Sequence, residues 1–173
     1  MVKRYLPLIL VLAVFAFIGW RLAAPSDKPD ISSRLVGQAA PEIWLEPMLD
    51  DKPGIASLAT GEPHLVNLFG SWCNPCIAEA PLLEGLAIQG VPITGIAVRD
   101  EAGAVRRFLE DHGDPFTAIG SDPRSEAVFA LGATGVPETF LVDGEGIVRD
   151  HVQGPLTRAD VARLKQLVEE YRR

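Results

Sequence analysis

The chain is poor in sulfur and imidazole: its 173 residues include two cysteines, two methionines and three histidines. A structural zinc site takes about four Cys or His ligands. Beyond the cysteines only His64, His112 and His151 remain, none paired at short spacing, which disfavours zinc. Copper carriage wants sulfur or imidazole close by, and Met48 is the only methionine besides Met1. Basic residues are scarce too. Formal net charge is −7; the first 24 residues hold Lys3, Arg4 and Arg21 and no acid, so the rest carries 13 basic against 23 acidic residues. An acidic body argues against nucleic-acid binding. Internal repeats, low-complexity tracts and coiled-coil patterns are absent, so a monomer is expected.

The acid-free stretch is also the apolar one. Leu6 to Leu22 is broken only by Pro7, Gly19, Trp20 and Arg21, and follows Lys3 and Arg4. This is the layout of a cleaved signal peptide or an uncleaved anchor. Tyr5 to Ala24 gives about 20 residues, enough to span a bilayer with Arg21 snorkelling at its end. Bulky Trp20-Arg21-Leu22 speaks against cleavage, although Leu22-Ala23-Ala24 leaves it open. Residues 1–24 are therefore expected to be an anchor, with the remainder outside the cytoplasm by the positive-inside rule. Residues 25–36 are polar, carry two prolines in Pro25 and Pro29, and read as a tether.

Both cysteines lie in Ser71-Trp72-Cys73-Asn74-Pro75-Cys76, directly after the apolar run His64 to Phe69. The run reads as a buried strand and the following segment as a helix. Cys73 then sits at the helix N-terminus, where free N–H groups and the helix dipole favour negative charge. A thiol placed there loses its proton more easily, and the thiolate is the reactive species. A purely structural disulfide is the bland alternative. With two intervening residues it would remove little unfolded-state entropy. The spacing thus proposes a dithiol/disulfide redox centre, needing no cofactor beyond the Cys73–Cys76 pair.

The rest of the chain frames this centre. Ala40 to Leu49 alternates well enough for one or two short strands. Asn74 to about Gln89 reads as a helix, kinked at Pro81, with Ile77, Ala80, Leu83 and Leu86 on one face. Ile93–Val98 is a strand, Ala102–Asp111 an amphipathic helix, Phe116–Ile119 a short strand and Ser125–Leu131 a short helix. Thr139–Val142 and Ile147–Val152 form a hairpin across Asp143-Gly144-Glu145-Gly146. Leu156–Tyr171 closes the chain with Val161, Leu164, Leu167 and Val168 inward. This order predicts an α/β fold with a central mixed β-sheet flanked by helices on both faces.

Trp72-Cys73-Asn74-Pro75-Cys76 after a buried strand, with Gly135-Val136-Pro137 before a later one, resembles a thioredoxin-like fold over residues 37–173. The stretch Gly135 to Gly144, with Ile147, Gly154, Gly37 to Leu45 and Asn67, resembles more narrowly the membrane-anchored thiol-disulfide oxidoreductases of cytochrome c maturation, the CcmG/DsbE type. That resemblance implies a single-pass protein of the bacterial inner membrane with its domain in the periplasm. It implies a reductant that receives electrons from a membrane thiol-disulfide donor. Those electrons would pass to the oxidised Cys-x-x-Cys-His of apocytochrome c and restore its thiols, alongside other maturation proteins. A general extracytoplasmic thiol-disulfide reductase or oxidase, or a copper or haem chaperone, stays open as an alternative.

Roles are assigned by position. Cys73 is the expected nucleophile and Cys76 the resolving thiol. Pro75 initiates the helix. Trp72 is either a packing residue or a substrate contact. The resemblance implies a cis bond at Val136–Pro137, exposing the Val136 backbone to a substrate strand; a plain edge proline is the alternative. It also places Glu79 and Glu138 near the active site, where a carboxylate would raise a thiol pKa or carry its proton. For Glu79 a solvated helix face remains the other reading. Asn67 stands where thioredoxins proper carry a buried Asp, which favours the glutamates as proton carriers. The three histidines and Arg99 read as ordinary surface or half-buried residues.

Overall fold

A computed structural model describes residues 10, 11, 13–19 and 34–172. The chain divides into two units, Met1–Ile31 and Ser32–Arg173. In the first, residues 10, 11 and 13–19 are helical and exposed. Among the described residues no helix is long and apolar enough to cross a membrane. The expected anchor and tether lie largely outside those residues.

The second unit has a thioredoxin-like α/β fold. In chain order its elements are β1 (His64–Phe69), α1 (Asn74–Ile88), β2 (Ile93–Val98), α2 (Ala102–His112), β3 (Ala118–Asp122), α3 (Glu126–Ala130), β4 (Glu138–Val142), β5 (Val148–Gln153) and α4 (Arg158–Tyr171). The sheet order is β3-β2-β1-β4-β5. β1 pairs parallel with β2 and β2 with β3, whereas β4 runs antiparallel to both β1 and β5. Every residue of β1 and β2 is buried, as expected for central strands covered on both faces.

Strand alternation divides the interior into two cores. Leu65 and Phe69 of β1 face one side, with Leu83 and Leu86 of α1, Val105 of α2 and Leu164 and Val168 of α4. Val66 and Leu68 face the other, with Phe140, Val142, Ala127 and Val128 of α3, and Ile43 and Ile55 from the segment before β1. Helix α1 continues through Pro81, whose exposed position makes the missing N–H tolerable.

The elements depart from the expected ones in three places, each for a physical reason. Residues 40–49 make no strand of their own. The isolated bridge Pro47–Gly120 ties the segment to β3, Ala39–Ile147 ties its start to the turn before β5, and Leu45–Ile55 joins it to the stretch that follows. Pro41, Pro47 and Pro53 withhold ladder donors. Strand β3 starts two residues later than its apolar window: Thr94 pairs with Ala118, while Phe116 leaves the ladder and stacks on Phe69 at 4.7 Å. Helix α4 starts at Arg158 because Thr157 and Asp160 form a reciprocal capping box.

Candidate active site

The site is built where β1 hands over to α1. Cys73 is the N-cap residue of α1, in extended conformation, and its Sγ accepts the Cys76 N–H at 3.2 Å. Pro75 occupies the first turn. Cys73 and Cys76 are joined as a disulfide with Cα atoms 5.2 Å apart. Both are buried, Cys73 at 4% exposure and Cys76 at 1%, so the N-terminal sulfur belongs to the slightly more open residue.

The approach to Cys73 is pinned. Ser71 donates its N–H to Asp100 Oδ2 at 2.5 Å and its hydroxyl to Asp100 Oδ1 at 2.8 Å. Trp72 is 55% exposed, yet its indole Nε1–H donates to the Val98 carbonyl at 3.2 Å. Its ring lies over Gly70, where a Cβ would come within 2.7 Å of it. Trp72 therefore presents a face to solvent from a fixed seat. Asp100 was not visible as a site residue in the sequence; a carboxylate at a strand end gives no local sign of its partner.

Across the same end of the sheet lies the loop before β4. Leu68 pairs with Glu138, which places residues 134–137 beside the turn leaving β1. The Val136–Pro137 peptide is cis, as the resemblance implies. Val136 is half-buried and packs against both cores, including the one that contains Cys73 and Cys76.

The two glutamates occupy opposite faces of the sheet. Glu79, one turn after Cys76, is 1% exposed and shares the cysteine face. Its Oε1 accepts from Asn67 Nδ2 at 3.0 Å and its Oε2 from the Leu156 N–H at 2.9 Å. Burial pushes its pKa up, and the two hydrogen bonds only partly oppose this. Asn67 also donates to Thr139 Oγ1 at 3.0 Å, so the Asn fills the relay position with an amide.

Glu138 points the other way. Its Oε1 accepts from Thr134 N at 2.8 Å, Thr134 Oγ1 at 2.7 Å and Gly135 N at 3.2 Å, and its Oε2 meets His151 Nε2 at 2.7 Å. Burial raises its pKa, but the hydrogen bonds from His151 and Thr134 outweigh burial and leave it below the ordinary value. Its partners are thus a loop and a histidine, and no hydrogen bond joins it to a cysteine. His151, read from sequence as surface or half-buried, is half-buried as a residue, with a side chain only 1% exposed. The hairpin register brings it there: His151 of β5 pairs with Phe140, two positions from Glu138 on the same face. Arg99 is exposed, with φ +47°. Among the described residues no group of three or more His, Cys, Asp or Glu side chains is placed to hold a metal ion.

A redox-active Cys-x-x-Cys pair at a helix start, in a thioredoxin-like fold beside a cis-proline loop, defines the class: a thiol-disulfide oxidoreductase. Residues 35–168 match the Redoxin family. The chain is 39% identical over 154 residues to the thiol:disulfide interchange protein HelX of Rhodobacter capsulatus, covering 88% of this chain and 87% of the relative. It is 35% identical to the thiol:disulfide interchange protein DsbE of Escherichia coli K12, covering 96% and 93%. The crystal structure of a thioredoxin-family thiol:disulfide interchange protein from Chlorobium tepidum superposes with a TM-score of 0.62 at 27% identity, covering 75% of this chain and 94% of that one. This chain belongs to the DsbE/HelX family of thiol:disulfide interchange proteins.

Proposed function

We propose that the protein is a periplasmic reductant of apocytochrome c Cys-x-x-Cys-His disulfides in cytochrome c maturation. The observation that carries this reading is the Cys73–Cys76 pair at the start of α1, in a chain matched along nearly its whole length by DsbE-type relatives. The cycle has two exchange steps. Reduced Cys73 attacks one sulfur of the substrate disulfide as a thiolate. A mixed disulfide forms and one substrate thiolate leaves. Cys76, as a thiolate, then attacks Cys73 Sγ, closing the Cys73–Cys76 disulfide and releasing the second substrate thiolate. Two electrons and two protons pass to the substrate.

In this reading Glu79 manages the Cys76 proton. It is one helical turn away, on the same face, and its burial favours the protonated form. Trp72 and the Val136 main chain form the substrate-facing surface, with Pro137 buried behind it. Glu138 serves this surface by holding residues 134–135 rather than by touching a thiol. Residues 1–24 act as an inner-membrane anchor, 25–36 as the tether and 37–173 as the catalytic domain, working as a monomer with a membrane thiol-disulfide donor. A similarity that covers 96% of the chain, reaching into the N-terminal apolar run, supports the anchor.

The test is the reduction potential of the domain, with mixed-disulfide trapping on an oxidised Cys-x-x-Cys-His peptide. A potential near the reducing end of such folds, about −270 mV, with trapping only in Cys76→Ser, supports the reading. A potential near about −120 mV makes the protein an oxidant and overturns it.

A further inference from the structure

We propose that His151 is a positioning residue for the substrate-facing loop, acting through Glu138. The inference deepens the reading above and rests on Val136 being the main chain that meets substrate. His151 and Glu138 lie side by side on the face of the sheet away from the cysteines, with side chains 1% and 2% exposed. The imidazole stacks on Phe140, 4.0 Å between centroids and 7° between planes, so its direction is set by packing. From that seat Nε2 meets Glu138 Oε2 at 2.7 Å, while Nδ1 has no hydrogen-bond partner. The histidine side chain thus makes one hydrogen bond, and that bond is to Glu138.

The carboxylate's other oxygen takes three donors from Thr134 and Gly135, the two residues leading into Val136. Without His151, Oε2 would be left buried with its partner gone, an arrangement that costs the full desolvation of a charged oxygen. The carboxylate then turns or draws in water, and the three loop bonds lose their geometry. The reacting sulfurs, on the opposite face, keep theirs. His151 therefore sets how well an extended peptide seats on Val136, not how fast the seated disulfide is exchanged.

The experiment is steady-state reduction of two disulfide peptides by the full chain, by His151→Leu and by His151→Gln, each regenerated by excess dithiothreitol with the uncatalysed rate subtracted, all checked for folding by near-ultraviolet circular dichroism. One peptide carries Cys-x-x-Cys-His and the other an unrelated sequence. We expect His151→Leu to raise KM about tenfold, with kcat and the Cys73–Cys76 reduction potential unchanged. His151→Gln, whose amide N–H still reaches Oε2, restores most of the affinity. Equal KM in all three chains overturns the proposal, as does a shared fall in kcat or a shifted potential in both variants. If His151→Leu does not fold, His151→Asn, too short to reach Oε2, takes its place under the same criteria. A KM effect on both peptides, with no preference for Cys-x-x-Cys-His, supports His151 while removing the apocytochrome assignment.

Discussion

Two buried titratable side chains, Glu79 and His64, have opposite effects on stability as pH changes. Glu79 holds its proton more tightly in the folded chain than its ordinary value of 4.5, because burial disfavours the carboxylate. Its stabilising contribution is complete below that value and is lost as pH rises through the raised folded pKa. His64 is 2% exposed, and burial lowers its pKa from the ordinary 6.5. Its contribution is present above 6.5 and is lost as pH falls through the lowered folded pKa. Urea unfolding of the domain from about pH 4 to 9 checks both: Glu79→Gln should flatten the decline toward high pH, and His64→Gln the decline toward low pH. In a chain that keeps Cys76, Glu79→Gln should also slow resolution of the mixed disulfide by roughly tenfold or more, with loss of the corresponding limb of the pH–rate profile. An unchanged profile would confine Glu79 to the role of a buried hydrogen-bond acceptor.

At the scale of elements, two aspartates at the ends of neighbouring strands each fix a nearby segment of backbone. Asp122 closes β3, and its carboxylate accepts the N–H groups of Glu126, Ala127 and Val128 at 2.7, 3.1 and 3.3 Å. It caps α3 from below, while the nominal cap residue Ser125 sits in the left-handed region at φ +59° with no side-chain capping bond. Asp122→Ala should cost about 2–3 kcal/mol in urea unfolding, because two buried donors and one part-buried donor lose their shared carboxylate acceptor together. Asp100, just past β2, instead holds the active-site turn through Ser71. Asp100→Ala should leave stability within about 1 kcal/mol, since the group is only half-buried. It should nonetheless red-shift and broaden Trp72 fluorescence and reduce the rate of mixed-disulfide formation severalfold. An unaltered Trp72 spectrum would mean that the Val98 contact alone seats the indole.

For the whole molecule, the unit Ser32–Arg173 contains both cores and the complete sheet. A fragment of residues 34–173 is expected to fold alone, show one cooperative unfolding transition and keep the reduction potential of the full chain. Biphasic unfolding or a shifted potential would contradict this independence. The start of α1 and the loop before β4 fall at one end of the sheet because β4 lies next to β1 and runs antiparallel to it. That adjacency sets the cis-proline loop beside the dithiol motif.

Much of this was legible in the chain. A lone Cys-x-x-Cys after an apolar run names the redox pair, since no other thiol competes and helix starts favour thiolate. The runs at 64–69 and 93–98 are largely apolar because both faces are covered, and helices with a polar side, such as α2, show their period directly. These properties are written in neighbouring residues. The remainder depends on register and on which face a side chain takes, and one residue's shift reverses the face. Glu79 and Glu138 look alike in sequence, yet helix phase puts one on the cysteine face and strand parity puts the other beyond the sheet. His151 finds its carboxylate only because the hairpin aligns it with Phe140, and Asp100 finds Ser71 across 29 positions of sequence. Local sequence determined which atoms carry the chemistry. The tertiary structure decided which groups surround them, because those partners meet only across paired strands.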